Sequence, residues 1–344
     1  MSRVEIVGLG DPRWMRLAAS HPQALAFHQP GWTDLLQDCY GFRGFAVVGL
    51  TADGSPCAGL PVVEARDPLR RRRWISLPFT DHCPLLSDRP AVDDEVVESL
   101  RRRAVSEGVA RVEIRTTLRG APSGDETVGV IHELELQRDH DEVFRRFHKS
   151  QVRANIRRAE RDGVVVRTAT CERDVTDGYF RLHLRTRRRL GVPAQSRRFF
   201  RLLWSRVIQP GLGFVILAEA HGTTVAGAVF LHWNRRLIYK FGASDERFKR
   251  FRPNHAVMWE AIRWGCERDY AMLDFGRSGL DDSGLRAFKS GWGAEERPLR
   301  YTTLVGATPQ ANAATAGAVL RPLLRRCPLW VCRGVGAAFY RYAA

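Results

Sequence analysis

The chain has 344 residues, enough for two ordinary domains, and its 44% hydrophobic and 10% aromatic content excludes a disordered polymer. A formal net charge of +16 and a pI near 10.3 point to anionic partners: nucleic acid, phosphorylated small molecules or an acidic membrane face. Seven scattered cysteines without a CxxC pair speak against a disulfide framework or a structural zinc site. The opening MSRVEIVGLGDPRW has no signal-peptide core, and no run approaches the roughly 18 apolar residues of a membrane span, so a reduced, cytoplasmic, soluble protein is expected.

In chain order, LAFHQPGWTDLLQDCYG reads as a strand end entering a short helix. FRGFAVVGL and AGLPVVEAR form a hairpin about TADGSP, and RRRWISLPF is a further strand. Residues 92–107 place acids early and arginines late, with Gly108 after them, which suits the helix dipole and a glycine cap. RVEIRTT and HELELQ read as strands. One helix is expected over 141–161, followed by helices over 172–190 and 196–209 with Pro193 between them. FVILAEA, TTVAGAVFLHW and RRLIYKFGAS are consecutive strands. A helix over 254–269 with Asn254 as N-cap precedes the strand YAMLDFG, a short helix over 282–290 and the strand PLRYTTLVG. A small-residue linker, ATPQANAATAGA, leads into a basic tail that Pro322 and Pro328 interrupt.

This order predicts an α/β (α+β) protein in which a mixed, mainly antiparallel pattern occurs twice: 1–137, 138–306, and a tail over 307–344.

Three groups of residues are candidates for chemistry. Arg145, Lys149, Arg153, Arg157 and Arg161 recur four apart, so a continuous helix would align them as a stripe for a polyanion; the alternative is a solvated face. Arg247, Lys249, Arg250 and Arg252 precede a helix start, where free N–H groups and the dipole favour an anion. The third is LDFGRSGLDDSGLRAFKSGWG. Lysine occurs only at Lys149, Lys240, Lys249 and Lys289 in a chain that otherwise uses arginine, and Lys289 sits beside Phe288 and Trp292 in a strand–loop–helix junction. It could stabilise an oxyanion or hold an anion; the alternative is a stem packed on the aromatics with its head in water. Asp81, His82 and Cys83 are adjacent and point to opposite faces, which disfavours a Cys–His dyad. HExxH, GxSxG and Walker A motifs are absent, and no metal site is expected.

HKSQVRANIRRAERDGVVV, followed by IYKFGASDERFKRFRPNHAVMWEAIRWGCERDYAMLDFGRSGLDDSGLRAFKSGWGAE, resembles the FemAB-like transferases of peptidoglycan bridge formation, within the GNAT-like acyltransferase superfamily. The resemblance covers residues 145–304, and GDPRW and FHQPGW extend it less sharply into the first half. It implies two tandem GNAT-like domains, with the tail returning to the first. It also implies transfer of an acyl or aminoacyl group to an amine of a cell-envelope precursor, with Lys289 at the reaction centre. Tyr239, Arg188 or Arg189, Trp32, Arg277 and Asp274 are the substrate-binding candidates. Arg145, Lys149, Arg153, Arg157, Lys249, Arg250 and Arg252 are candidates for the anionic carrier.

No cofactor is expected to be tightly bound. The expected donor is aminoacyl-tRNA or acyl-CoA, and the expected acceptor is an envelope precursor, free or lipid-linked; peripheral contact with the inner face of the membrane is an alternative to a purely cytoplasmic place. Two departures stand out: Leu36 and Gln37 occupy the region after Trp32 where such enzymes often carry a lysine, and the long helical hairpin of some tRNA-using members is missing. Two other readings are an acyl-CoA-dependent N-acyltransferase acting on an amino sugar and a non-catalytic binder of nucleic acid or anionic lipid.

Overall fold

A computed structural model describes residues 3–67, 69–118, 125–306 and 321–342. These pack as two compact units. The first takes the described residues up to 128, then 299–306 and 339–342; the second takes 129–298 and 321–338. The linker ATPQANAATAGA lies outside the described residues.

The first unit contains β1 (Arg3–Gly8), α1 (Pro12–Ser20), α2 (Pro30–Tyr40), β2 (Arg43–Leu50), β3 (Pro56–Arg66), β4 (Arg72–Ile75), β5 (Leu86–Ser87), α3 (Pro90–Ser106) and β6 (Arg111–Ile114). β1 to β4 pair antiparallel in sequence order. β6 then runs parallel to β4, a connection that needs a crossover, which α3 supplies. Val92, Val96, Leu100 and Ala104 fall on one face of α3 and join Val47, Leu60, Val62 and Val112 in the core. An antiparallel strand, β13 (Glu295–Val305), closes on β6.

The second unit repeats this topology with different residues. It begins in β7 (Asp125–Glu135) and contains α4 (His140–Arg146), α5 (Ala154–Arg161), β8 (Val165–Thr168), α6 (Phe180–Leu190), α7 (Arg197–Leu203), β9 (Gly213–Ala220), β10 (Thr223–Trp233), β11 (Arg236–Ser244), α8 (Pro253–Glu267), β12 (Met272–Ser278), α9 (Ser283–Ser290) and α10 (Leu329–Phe339). β8 to β11 pair antiparallel in order, β12 runs parallel to β11 after the α8 crossover, and β7 closes antiparallel on β12. One order of strand pairing, followed in each unit, accounts for the repeated pattern seen in the sequence. Each last strand comes from elsewhere in the chain: β7 precedes β8 yet closes on β12, and β13 follows β12 yet closes on β6.

Several elements differ from expectation. The helix expected over 141–161 is broken. Phe147 leaves helical geometry to pack edge-on against Trp259 and Trp292 at 5.7 and 5.2 Å, and a π-helical turn (Lys149–Arg153) joins α4 to α5. π-Helical turns also open or extend the helices expected over 172–190 and 196–209 (Asp174–Tyr179 and Trp204–Ile208). The residue at the N-cap of α8 is Arg252, in left-handed backbone geometry at φ 56°, whereas Asn254 lies inside the first turn and bonds Ser244 Oγ at 3.3 Å. The segment expected as a strand end near residue 26 is a 3₁₀ turn (Ala26–His28).

Candidate functional site

β11 and β12 pair only from Arg236 opposite Met272 to Ile238 opposite Asp274, although β11 continues to Ser244 and β12 to Ser278. Beyond that point the two parallel strands lack each other's hydrogen bonds, and over β11 and its other neighbour, β10 at Gly227 and Ala228, lies a pocket of about 240 Å³. Tyr239, Gly242, Ala243 and Ser244 of β11 form one wall. Asn254, Val257 and Met258 of α8 form another, Leu285 and Phe288 of α9 a third, and Thr186 and Arg189 of α6 contribute the rim. An apolar pocket carrying a few polar groups suits a small acyl group.

The end of β12 is shaped by a bulge. Asp274 lies opposite Glu133 and Arg277 opposite Ile131, so Phe275 and Gly276 together face the single residue His132. Gly276 has φ 72°, a left-handed geometry that glycine adopts without a steric penalty. Asp274 Oδ1 accepts the Gly276 N–H at 2.7 Å. The carbonyls of the bulge turn toward α9, where Lys289 Nζ donates to Gly276 O at 2.6 Å and to Arg277 O at 3.1 Å. Lys289 is 2% exposed, whereas Arg277 is exposed, with its side chain lying over Gly129 of β7.

Thus Asp274 and Lys289, singled out in the sequence as substrate-contacting and catalytic, are brought together as the two fasteners of one backbone bulge. The head of Lys289 is turned to these backbone carbonyls rather than to water. The pocket receives Phe288, its neighbour in α9.

The sequence reading missed His132. It is 0% exposed, opposite the bulge, with Nε2 3.2 Å from Glu296, which Arg286 in turn holds through two 2.8 Å bonds. Burial, then the nearby Lys289 ammonium, push its pKa below the ordinary value, while Glu296 pulls the other way. A strand reading of HELELQ gives no signal for this, because the bulge that faces His132 lies more than a hundred residues away in sequence.

The buried His183, hydrogen-bonded to Gln195 at 2.7 Å, is lowered by burial from 6.5 to about 3. Both histidines are therefore neutral when folded at pH 7, and the unfolded chain takes up their protons first as pH falls. Stability is full above the unfolded histidine range and is lost as pH drops from about 6.5 toward 3, with His183 contributing up to about 1.4 kcal/mol per pH unit. Denaturant midpoints measured between pH 7 and pH 4 check this; a flat profile would exclude it.

Tyr239 is the one predicted substrate-binding residue whose side chain reaches the pocket from the sheet. Burial raises its phenol to about 12, so it is a protonated O–H donor throughout the neutral range. Its hydroxyl occupies the space beside Gly242, where an added Cβ would lie 1.6 Å from the oxygen.

Arg189 and Ser244 are shared with a second pocket, of about 620 Å³, to which Arg185, Arg188, Arg247 and Arg325 bring positive charge and Asp245 and Glu246 bring negative charge. Asp245 organises it. The carboxylate pairs with Arg185 at 2.5 Å and Arg247 at 2.7 Å, and the Arg247 hydrogen bond draws its pKa down to about 2. Arg189 pairs with Glu246 at 2.5 Å.

The remaining candidates are distributed more widely. Arg145 pairs loosely with Asp139 and Glu142 at 3.9 Å on α4. Lys149 and Arg153 are on the π turn, and Arg157 is on α5 with its guanidinium 5.8 Å from the Phe144 ring. The break at Phe147 therefore corrects the single regular-helix stripe. Lys249 and Arg250 are exposed on the 3₁₀ turn (Glu246–Phe251) that leads to Arg252 and α8. Trp32 belongs to the first unit, where it is 0% exposed and edge-on to Phe27 at 5.0 Å. Cys83 lies 3.5 Å from His28 rather than pairing with His82; both are buried, and burial pushes the thiol well up and the imidazole down to about 4, so the pair is neutral. Among the described residues no cluster has the make-up of a metal site.

Antiparallel strands, a parallel pair that parts after three residues, and a closing antiparallel strand make up the second unit. The acetyltransferase (GNAT) domain family matches residues 146–290, which hold the pocket and the Lys289 bulge. Lipid II:glycine glycyltransferases from Staphylococcus epidermidis and Staphylococcus aureus are each 33% identical to this chain, over 82 and 78 residues. Those segments cover 22% and 21% of this chain and only 20% and 18% of the relatives.

The crystal structure of FemX superposes with a TM-score of 0.70 at 14% identity, covering 92% of this chain and all of the other. L-PGS from Bacillus licheniformis superposes at 0.56, with 15% identity over 94% of this chain and 99% of that one. A tandem GNAT protein from the clavulanic acid pathway gives 0.50, with 12% identity over 90% of this chain and 100% of that one. Residues 146–290 thus match the GNAT domain family, a short stretch of the chain is similar to the lipid II:glycine glycyltransferases, and its mixed α/β fold is like that of FemX and of a tandem GNAT protein.

Proposed function

We propose that the chain is an acyltransferase that moves an activated aminoacyl or acyl group to an amine of a cell-envelope precursor, related to peptidoglycan or polysaccharide. The observation that carries this reading is the pocket that β10 and β11 form with α8 and α9, which holds a neutral phenol among apolar walls. The 33% identity to lipid II:glycine glycyltransferases supports the choice of acceptor class.

In the reaction, the acceptor nitrogen attacks the donor carbonyl carbon, the bond from that carbon to the carrier breaks, and a proton passes from the nitrogen to the departing carrier or to water. Negative charge builds on the carbonyl oxygen, where an O–H donor already in place lowers the barrier. Tyr239 supplies that donor, and Phe288, Met258 and Val257 exclude water around it. Lys289 and Asp274 act as positioning residues by holding the β12 bulge. Arg188 and Arg189 face the acceptor's anionic portion. Lys249, Arg250 and Arg252, together with Lys149, Arg153 and Arg157, face the anionic carrier. Because orientation and carrier activation supply much of the rate, no strong general base is required. The reaction takes place on the cytoplasmic side of the membrane; no described helix is long and apolar enough to cross it.

Aminoacyl-tRNA is the donor in this reading. Acyl-CoA is the second reading, favoured by the parting of parallel strands beside the N-terminus of α8. A donor screen tests both: purified protein is incubated with aminoacyl-tRNAs, acyl-CoAs and envelope precursors, and transfer is followed by mass spectrometry. Transfer from acyl-CoA alone selects the second reading. No transfer from any donor, with salt-sensitive tRNA binding retained, would leave a binding protein.

A further inference from the structure

Residues 321–326 and α10 are seated on the second unit by a narrow set of contacts. Leu324, Cys332 and Gly336 face inward. A Cβ added at Gly336 would lie 1.9 Å from Ala194 O, and one at Gly191 would lie 2.7 Å from Arg321 O, so the segment's backbone lies close against the connection after α6. Cys332 and Gly336 are four apart and define the buried face of α10, so Trp330 and Arg333 fall on the other. Trp330 is 75% exposed and Leu323 is 64% exposed. Among the described residues Trp330 is the one aromatic in the group of exposed large hydrophobics.

The charge around them has a single sign. From 307 to 344 the sequence contains five arginines and no Asp or Glu. Arg321, Arg325, Arg326 and Arg333 are all exposed. An indole held out in water beside exposed guanidiniums matches the headgroup boundary of a bilayer, where the ring sits among the glycerols and arginine meets lipid phosphate.

We propose that this outward face is a docking surface for an anionic phospholipid bilayer, with Trp330 and Leu323 entering the interface and the four arginines lying against the headgroups. Arg325 and Leu329 of the same segment also line the basic pocket shared with Arg189, so the docked bilayer lies beside that pocket. This surface adds a partner to the proposed function but is measured without donor or acceptor, so its failure and that of the transfer reading are separable.

The full chain is sedimented with vesicles of phosphatidylglycerol and phosphatidylcholine, with vesicles of phosphatidylcholine alone, and with bulk tRNA as competitor. Binding to the anionic vesicles and not to phosphatidylcholine is expected. Trp330→Ser and the pair Arg326→Gln/Arg333→Gln should each weaken it by about tenfold or more. Because these side chains are exposed, thermal melts of the variants should match the parent. Equal sedimentation of parent and variants, or Trp330-dependent binding to tRNA with none to vesicles, would overturn the proposal.

Discussion

Lys289→Met should lower both transfer and stability. The methionine fills the space of the stem but donates nothing, so Gly276 O and Arg277 O lose the bonds they receive at 2.6 and 3.1 Å inside the protein. Leaving buried carbonyls without a donor costs about 1–3 kcal/mol each, and a charge-assisted bond lies toward the top of that range. A combined loss of about 3 kcal/mol corresponds to a fall in Tm on the order of 10 °C. The bulge would then relax, and with it the seat of α9, whose Leu285 and Phe288 line the pocket. A misplacement of about 1 Å at the reacting centre costs about a hundredfold in rate, which is the loss expected here. Calorimetry and the transfer assay are read on the same variant. If activity falls a hundredfold while Tm holds, the ammonium acts on substrate directly, as the family pattern suggests. If both hold, Lys289 has no part in the site.

Lys289 shows where sequence reading succeeds and where it stops. Its rarity among fifty-four basic residues and its place in FKSGWG mark it as significant. Composition cannot show the direction of its charge, because that depends on a bulge created by Gly276 thirteen residues earlier and by a register shift against β7. The alternation and turn chemistry of the strands are local, so β2, β3 and β9 to β11 were legible, as was α3 with its early acids and terminal glycine. The pairing of β7 with β12 was not, since the partners are distant in the chain and neither strand carries a register signal of its own.

The broken helix near Phe147 was hidden for a related reason. Arginines spaced by four satisfy a helical template, and the aromatic cluster that draws Phe147 into the core is made by Trp259 and Trp292, both supplied from elsewhere. Phe144, Phe147 and Val152, at i, i+3 and i+8, also satisfy that template, so the segment itself carries no signal of the break. Trp32 illustrates the opposite case. Its place in a family pattern suggested substrate contact, whereas its complete burial beside Phe27 gives it a packing role that tryptophan's size would support in any core.

Tyr239→Phe should reduce the rate of transfer about a hundredfold while leaving the fold in place. The change removes one oxygen and keeps the ring that packs on Phe230 at 5.5 Å. A donor aimed at a developing oxyanion contributes about 100-fold to 1000-fold, and little of that is felt in binding the ground state, so kcat should fall more than KM changes. Gly242→Ala attacks the same oxygen from the other side: its Cβ would need the place the hydroxyl holds, so the phenol must turn or the strand must shift. Similar losses in the two variants would localise the effect to the hydroxyl's position.

The pH dependence provides an independent check. The folded phenol titrates near 12 and an ordinary one near 10, so the folded state keeps a proton that the unfolded state gives up. The associated stability is therefore full below pH 10 and disappears as pH rises from 10 through 12. Over that interval Tyr239→Phe should lose less stability than the parent. At neutral pH the parent's rate should show no fall attributable to this phenol, because it remains protonated there. A parent rate that declines between pH 8 and 9 and becomes flat in Tyr239→Phe would identify the residue as a group that must ionise, and would remove it from the role of neutral donor.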